Sequence, residues 1–157
     1  GALCSELVFS ATTDHGIAPE RIYVDPIQTP VNVQQNQIMS VLEFMKMFPD
    51  IAPGCQSTIG LSNVSNGPPD HLRPILNRVM LIIWKRHGMA SAIVDTFDKE
   101  LHEIARGKRP ELEALVHKVE DGVPVDLSSL SREETEYVKT ARVILGHSLY
   151  SDSWLEI

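Results

Sequence analysis

The stretch that decides the fold is STIGLSN at residues 57–63, in which β-branched and apolar residues lead into two small polar side chains. A short run of this kind, bounded by turn-forming residues, is typical of a buried β-strand. Similar runs occur on both sides of it, RIYVD at residues 21–25 and AIVD at residues 92–95. The sequence therefore predicts three strands, at 21–25, 57–61 and 92–95.

Helical patterns separate these strands. Apolar residues recur at helical spacing from about residue 35 to 48 and again from about 72 to 87, and a further helix is predicted near 3–14. Strands that alternate with helices form parallel sheets with right-handed crossovers. Asp25, Asn63 and Asp95 each follow a strand, so we expect them at one edge of the sheet.

This alternation predicts an α/β fold in which parallel βα repeats form the C-terminal part of a (β/α)8 barrel. A complete barrel needs roughly 250 residues, whereas the chain has 157. Three parallel strands would leave two unpaired edges, which promote aggregation. We therefore expect residues 1–157 to form a single unit that is a fragment of a longer protein or pairs with another chain.

The C-terminal third departs from the repeat. Helical patterns cover about 111–120 and 131–145, and Ser131 with Glu134 predicts a capping box. Roughly residues 106–136 would form a helical insertion that interrupts a single final helix. It could serve as a lid, as a docking surface or as decoration.

Composition excludes several classes of function. A net charge of −7 without a basic stripe argues against nucleic acid as a partner, and no apolar run approaches the ~18 residues that span a bilayer. Two distant cysteines and the absence of a basic leader favour a reducing cytoplasm. Scattered histidines predict no metal bound by this chain.

Ser62 and Asn63 are the candidate chemical groups at the end of the second strand. A carboxamide both donates and accepts hydrogen bonds, which suits a flat heterocycle with mixed edges. The alternative is that Asn63 only caps a turn, as asparagine commonly does.

Several blocks of the sequence resemble a known family, in order along most of the chain. They are YVDPIQTPVNV at 23–33, GLSNVS at 60–65, RPILNR at 73–78, AIVD at 92–95 and YSDS at 150–153. These blocks are similar to the methyltetrahydrofolate:corrinoid/iron-sulfur protein methyltransferases, pterin-binding enzymes of the dihydropteroate-synthase-like superfamily. Matches in register at several places are more specific than any single motif.

The resemblance implies roles for individual residues. Asp25 matches a carboxylate that binds the pterin ring, and Asn63 matches the catalytic asparagine near N5 of the pterin. Ser62 and Arg73 match other substrate-binding positions, and Asn66 stands where the family often has glutamine. The loop before Arg73 is about two residues longer than is usual in the family.

The resemblance also implies an activity. The N5 methyl group of methyltetrahydrofolate, the substrate, would pass to the cobalt of a corrinoid that the partner, a corrinoid iron-sulfur protein, carries. The full-length protein would be a homodimer. This chain would supply half of the pterin pocket, so we expect it to be inactive by itself.

Two alternatives stay open. A dihydropteroate-synthase-like enzyme would need a phosphate-binding lysine and arginine near the final strands, and AIVD at 92–95 offers neither. A non-catalytic interaction module would instead dock a partner through the insertion at 106–136.

Overall fold

The computed structural model describes all residues 1–157 and shows a mixed, mostly helical α/β chain. The six α-helices are α1 Ala2–Phe9, α2 Val31–Ile51, α3 Arg73–Arg86, α4 Lys99–Ala105, α5 Pro110–Glu120 and α6 Arg132–Ile144. A π-helical turn, Ser10–Asp14, extends α1. The two strands are β1 Tyr23–Val24 and β2 Gln56–Ser57. None of the helices has the length and apolarity needed to traverse a lipid bilayer.

The sheet is small and parallel. Tyr23 lies opposite Gln56 in a parallel pairing of β1 with β2. A third segment joins through a parallel bridge between Gly60 and Ile93, where the Ile93 amide donates to the Ile59 carbonyl at 2.8 Å. Three segments thus run side by side in the same direction.

The strands are shorter than the sequence predicts. The strand expected at 21–25 is two residues long, that at 57–61 lies at Gln56–Ser57, and that at 92–95 is one bridge. The shortening has local causes, since Pro26 lacks an amide hydrogen and the chain turns into a 3-10 helix at Leu61–Ser65. Within this chain the three segments form an open sheet, not a closed barrel.

Helix α3 is the centre of the hydrophobic core. Nine of its residues are buried, which are Ile75, Leu76, Asn77, Val79, Met80, Leu81, Ile82, Ile83 and Trp84. A helix that is apolar around most of its circumference must be covered on several sides. The indole of Trp84 also donates to the buried Gln28 Oε1 at 2.8 Å, which links α3 to the loop after β1.

The insertion at 106–136 contributes to this core. α5 and the following α6 both pack against α3, and their buried residues include Leu112, Val116, Tyr137 and Ala141. The predicted capping box at Ser131 and Glu134 is confirmed. The chain end then folds back on α6, where Trp154 donates to Thr140 Oγ1 at 2.9 Å. The region from α5 to the chain end therefore covers α3 and forms part of the hydrophobic core.

One cation connects the three C-terminal helices. Arg109 forms ion pairs with Glu100 of α4, Glu111 of α5 and Glu133 of α6. Its side chain is only 18% exposed. Hydrogen bonds to Glu111 and Glu133 raise the pKa of Arg109, so the guanidinium stays charged.

The sheet is covered by helices on one face only. Ile59 is fully buried on the helical side, whereas Tyr23 and Ile93 on the other side are 59% and 73% exposed. Parallel sheets in proteins are usually covered on both faces. The open face therefore presents apolar surface to solvent.

We predict that Ile93→Lys reduces self-association of the chain, because it places a charge on the open apolar face. Sedimentation velocity at several concentrations measures this. The free energy of unfolding should change by less than about 0.5 kcal/mol. Ile59→Ala on the covered face is the contrast, with an expected loss of about 2–5 kcal/mol. A comparable loss for Ile93→Lys would show that this face is covered.

A second prediction concerns the contact between α3 and α4. Asp98 accepts hydrogen bonds from Arg78 Nε and Nη2, each 2.9 Å long. Its side chain also caps α4 by accepting from the Leu101 amide at 3.0 Å. Asp98→Ala removes the cap and leaves Arg78 unpaired, so we expect a loss of about 2–3 kcal/mol in urea unfolding. Asp70→Ala is the control, since the Asp70 side chain is fully exposed, and it should change stability by under about 0.5 kcal/mol. Equal effects of the two substitutions would contradict the assignment.

Candidate functional site

A cavity of about 390 Å³ lies at the end of the sheet where the parallel segments finish. Ser62 and Asp95 line it from the ends of neighbouring segments, and Arg73 and Asn77 line it from the first turns of α3. Most of the residues that line it are polar or charged, with Pro74 and Phe97 as the exceptions. In open α/β sheets the carboxyl ends of the strands are where ligands bind.

The same turn follows the first and third segments. Asp25 Oδ1 accepts from the Ile27 amide at 2.8 Å, and Asp95 Oδ1 accepts from the Phe97 amide at 2.8 Å. Each carboxylate is fixed by one oxygen, which leaves its second oxygen for another donor. Both Asp25 and Asp95 are exposed.

Ser62 and Asn63 occupy a 3-10 turn at Leu61–Ser65. Leu61 and Val64 anchor this turn in the core, while Ser62 and Asn63 are exposed. The carboxamide of Asn63 lies over Gly60, where an added Cβ would approach Nδ2 to 3.3 Å. Glycine at position 60 therefore leaves room for the amide.

A buried hydrogen-bond network connects the turn to α3. Ser65 Oγ is 2.8 Å from Asn77 Oδ1 and 3.1 Å from the Ser62 carbonyl oxygen. It also accepts from Arg73 Nε at 3.4 Å. Ser65 is fully buried and Asn77 is 8% exposed. The network fixes the position of the turn relative to the first two turns of the helix.

The structure brings only some of the sequence-predicted residues together. Ser62 and Arg73 share the cavity, while Asp25, Asn63 and Asn66 lie outside its lining. Asn66 is exposed beside Gly67, which packs so tightly on Asn32 that an added Cβ would lie 2.6 Å from Asn32 Nδ2. This contact joins the loop that follows the second segment to the first turn of α2.

Sequence reasoning did not identify Ser65 and Asn77 as site residues. The signal was available for Asn77, which interrupts the apolar series of α3 between Leu76 and Val79. A polar residue inside an apolar helix face needs a hydrogen-bond partner. Ser65 carries no comparable signal, since serine is common in turns.

A second basic residue, Arg78, also lines the cavity, but its guanidinium is bound by Asp98 through bidentate hydrogen bonds. Arg73 is therefore the cavity arginine without a close carboxylate partner, since its nearest carboxylate, that of the exposed Asp70, is 3.8 Å away.

The buried Tyr137 hydroxyl has no hydrogen-bond partner, and burial raises the pKa of Tyr137 to about 12.

Comparison with known proteins finds a distant similarity to a curated methyltransferase. No known protein-family profile matches the chain. A methylcorrinoid:tetrahydrofolate methyltransferase of Eubacterium limosum is 24% identical over 97 residues, which is 62% of this chain. The match spans 35% of that relative's length.

We predict that Ser65→Ala destabilises the chain by about 1–3 kcal/mol, because it leaves the buried Asn77 carboxamide oxygen without its donor. Ser62→Ala, in the same turn but exposed, is the matched control and should lie within about 0.5 kcal/mol of the wild type. Urea unfolding followed by circular dichroism compares the two. If the two variants are equally stable, the network has no part in holding the turn.

Proposed function

We propose that this chain forms part of the substrate site of an enzyme that transfers a methyl group between N5 of tetrahydrofolate and the cobalt of a corrinoid. The observation that carries the proposal is the polar cavity at the carboxyl end of the sheet, with Ser62 and Arg73 in its wall and Asn63 on the same turn. The distant similarity to a methylcorrinoid:tetrahydrofolate methyltransferase supports it.

Asn63 is the proposed catalytic residue. When a methyl group leaves N5, the bonding electron pair stays on nitrogen, and a tertiary amine is a poor leaving group. A hydrogen bond or proton at N5 stabilises that electron pair as the bond breaks. The Asn63 carboxamide is exposed and held over Gly60, so it can donate to N5 without first breaking an internal contact.

The remaining residues orient the ring in this proposal. Asp25 keeps one carboxylate oxygen free after its turn to Ile27, and it would accept ring N–H groups in a charge-assisted hydrogen bond. Ser62 and Arg73 would bind from the cavity wall. Asn66 would approach the same substrate from the end of the turn.

The proposed direction is from methyltetrahydrofolate to cobalt. The relative's name states the reverse direction, from methylcorrinoid to tetrahydrofolate. Both directions pass through one transition state, so a donor at N5 serves either. The residues therefore support the transfer in both directions. The relative stability of methyltetrahydrofolate and the methylcorrinoid determines which direction is favoured.

We propose further that additional βα units complete the pocket and close these three segments into a (β/α)8 barrel. The open apolar face with Tyr23 and Ile93 supports this, since closure would cover it. The relative's greater length supports it too. The complete protein would act in the cytoplasm as a homodimer, with a corrinoid iron-sulfur protein as partner.

The two alternative functions have less support. Of the cavity's two arginines, Arg78 is bound by Asp98, which leaves Arg73 without the second basic group that a dihydropteroate-synthase-like phosphate site requires. An interaction module would use the insertion, but α5 and α6 direct their apolar residues into the core of this chain.

The test is a titration of the ¹⁵N-labelled chain with 5-methyltetrahydrofolate, followed by NMR up to millimolar ligand. We expect weak binding, with shifts confined to residues near 25, 62–66 and 73. Asp25→Asn preserves the turn, because an asparagine oxygen also accepts, but it removes the charge, so we expect affinity to fall about tenfold. Asn36→Ala, an exposed substitution on α2, should leave affinity unchanged.

Absence of any shift at millimolar ligand would contradict the proposed function. Shifts that map to the insertion instead would favour the interaction module. Binding of a pterin diphosphate with loss in Arg73→Ala, and no binding of 5-methyltetrahydrofolate, would favour the dihydropteroate-synthase-like alternative.

A further inference from the structure

Phe97 places an exposed aromatic ring at the wall of the cavity. Its side chain is 91% exposed, more than that of any other large apolar residue of the chain, and it is the only aromatic residue that lines the cavity. Single exposed apolar side chains are common on protein surfaces. This one, however, lies among polar neighbours at the carboxyl end of the sheet, where open α/β sheets bind their ligands. The ring is therefore free to contact a molecule that occupies the cavity.

The backbone on both sides of Phe97 is held in place. The Phe97 amide donates to Asp95 Oδ1 at 2.8 Å. The next residue, Asp98, accepts from Arg78 Nη2 at 2.9 Å and caps α4 by accepting from the Leu101 amide. An aromatic ring on a fixed backbone moves only about its two side-chain torsions, so it offers contact area at a low cost in conformational entropy. The turn therefore presents a preorganised apolar surface.

The polar side chains of the cavity leave the faces of a flat ligand without a partner. Ser62, Arg73 and Asp95 can bind the edge of a heterocycle, because hydrogen bonds to ring carbonyl and N–H groups lie near the plane of the ring. They do not cover its two faces, which gain free energy when they leave water. An aromatic side chain covers such a face well, since stacking on a flat heterocycle does not depend on the pattern of its edge groups.

We infer that Phe97 is a substrate-binding residue that packs its ring against one face of the pteridine ring of tetrahydrofolate. This inference rests on the proposed function and adds an apolar contact to a site that otherwise binds by hydrogen bonds. The polar side chains hold the pteridine by its edge, and Phe97 covers one face and excludes water from it.

The experiment titrates the chain, labelled with 4-fluorophenylalanine, with 5-methyltetrahydrofolate. The chain has four phenylalanines, at positions 9, 44, 48 and 97, so each gives one ¹⁹F signal, and that of Phe97 is assigned by its loss in Phe97→Leu. We expect the Phe97 signal to shift on binding. The signal of Phe9, which is 64% exposed at the end of α1 and lies outside the cavity lining, should stay in place.

Affinity is the second readout. Phe97→Ala should weaken binding about tenfold, since loss of one stacked aromatic ring has this order of effect. Phe97→Trp keeps an aromatic face and should retain most of the affinity. Phe9→Ala is the matched control and should leave affinity unchanged. Because the Phe97 ring is exposed, these substitutions should leave the urea midpoint of unfolding unchanged.

The outcomes separate this inference from the function on which it rests. If the wild-type chain binds 5-methyltetrahydrofolate while its Phe97 signal stays in place and Phe97→Ala binds equally well, the inference is wrong and the proposed function stands. If the wild-type chain does not bind, both are wrong. If bound 5-methyltetrahydrofolate leaves the Phe97 signal in place and hydroxocobalamin shifts it, the ring contacts the corrinoid and not the pteridine.

Discussion

The burial of α3 is the constraint on which the rest of the structure depends. Its fourteen residues, Arg73–Arg86, include nine that are buried, so the helix is stable only where other elements surround it. The 3-10 turn at Leu61–Ser65 lies along one side, and α4, α5 and α6 pack along the others. Because the helix is held on several sides, its first two turns form a rigid platform for Arg73 and Asn77. The cavity is therefore built on the helix with the most buried residues in the molecule.

The need to cover α3 also accounts for the packing of α5 and α6. Apolar periodicity predicted α5 and α6 correctly. Whether their apolar faces pack against a partner or against their own chain depends on the tertiary structure, which the periodicity does not contain. The buried residues Leu112, Val116 and Ala141 show that the chain itself takes them up. The core thus extends through the C-terminal third, although its sequence lies outside the βα repeat.

The sequence predicted which helices and strands form better than it predicted how long the strands are. Helices α2 and α3 were expected from apolar spacing, and the parallel direction of the sheet from the alternation of strands and helices. Strand lengths were not predictable, because a parallel ladder depends on neighbours that lie far apart in sequence. The segment at 92–95 pairs on one side only, so it forms a single bridge at Ile93 in place of a strand. The cavity shows the same division: Ser62 and Arg73, which line it, were predicted from motifs, whereas the network of Ser65 and Asn77 exists only once α3 has docked.

The cation shared by α4, α5 and α6 has a consequence for how this region tolerates sequence change. Arg109 bonds three glutamates from three different helices, so loss of any one carboxylate leaves two still engaged. Loss of the arginine would leave all three carboxylates close together without a positive charge between them. A lysine cannot substitute, since a single ammonium group lacks the planar fork that reaches in several directions. Tolerance to substitution therefore differs across this cluster: each glutamate can be replaced singly, whereas Arg109 cannot.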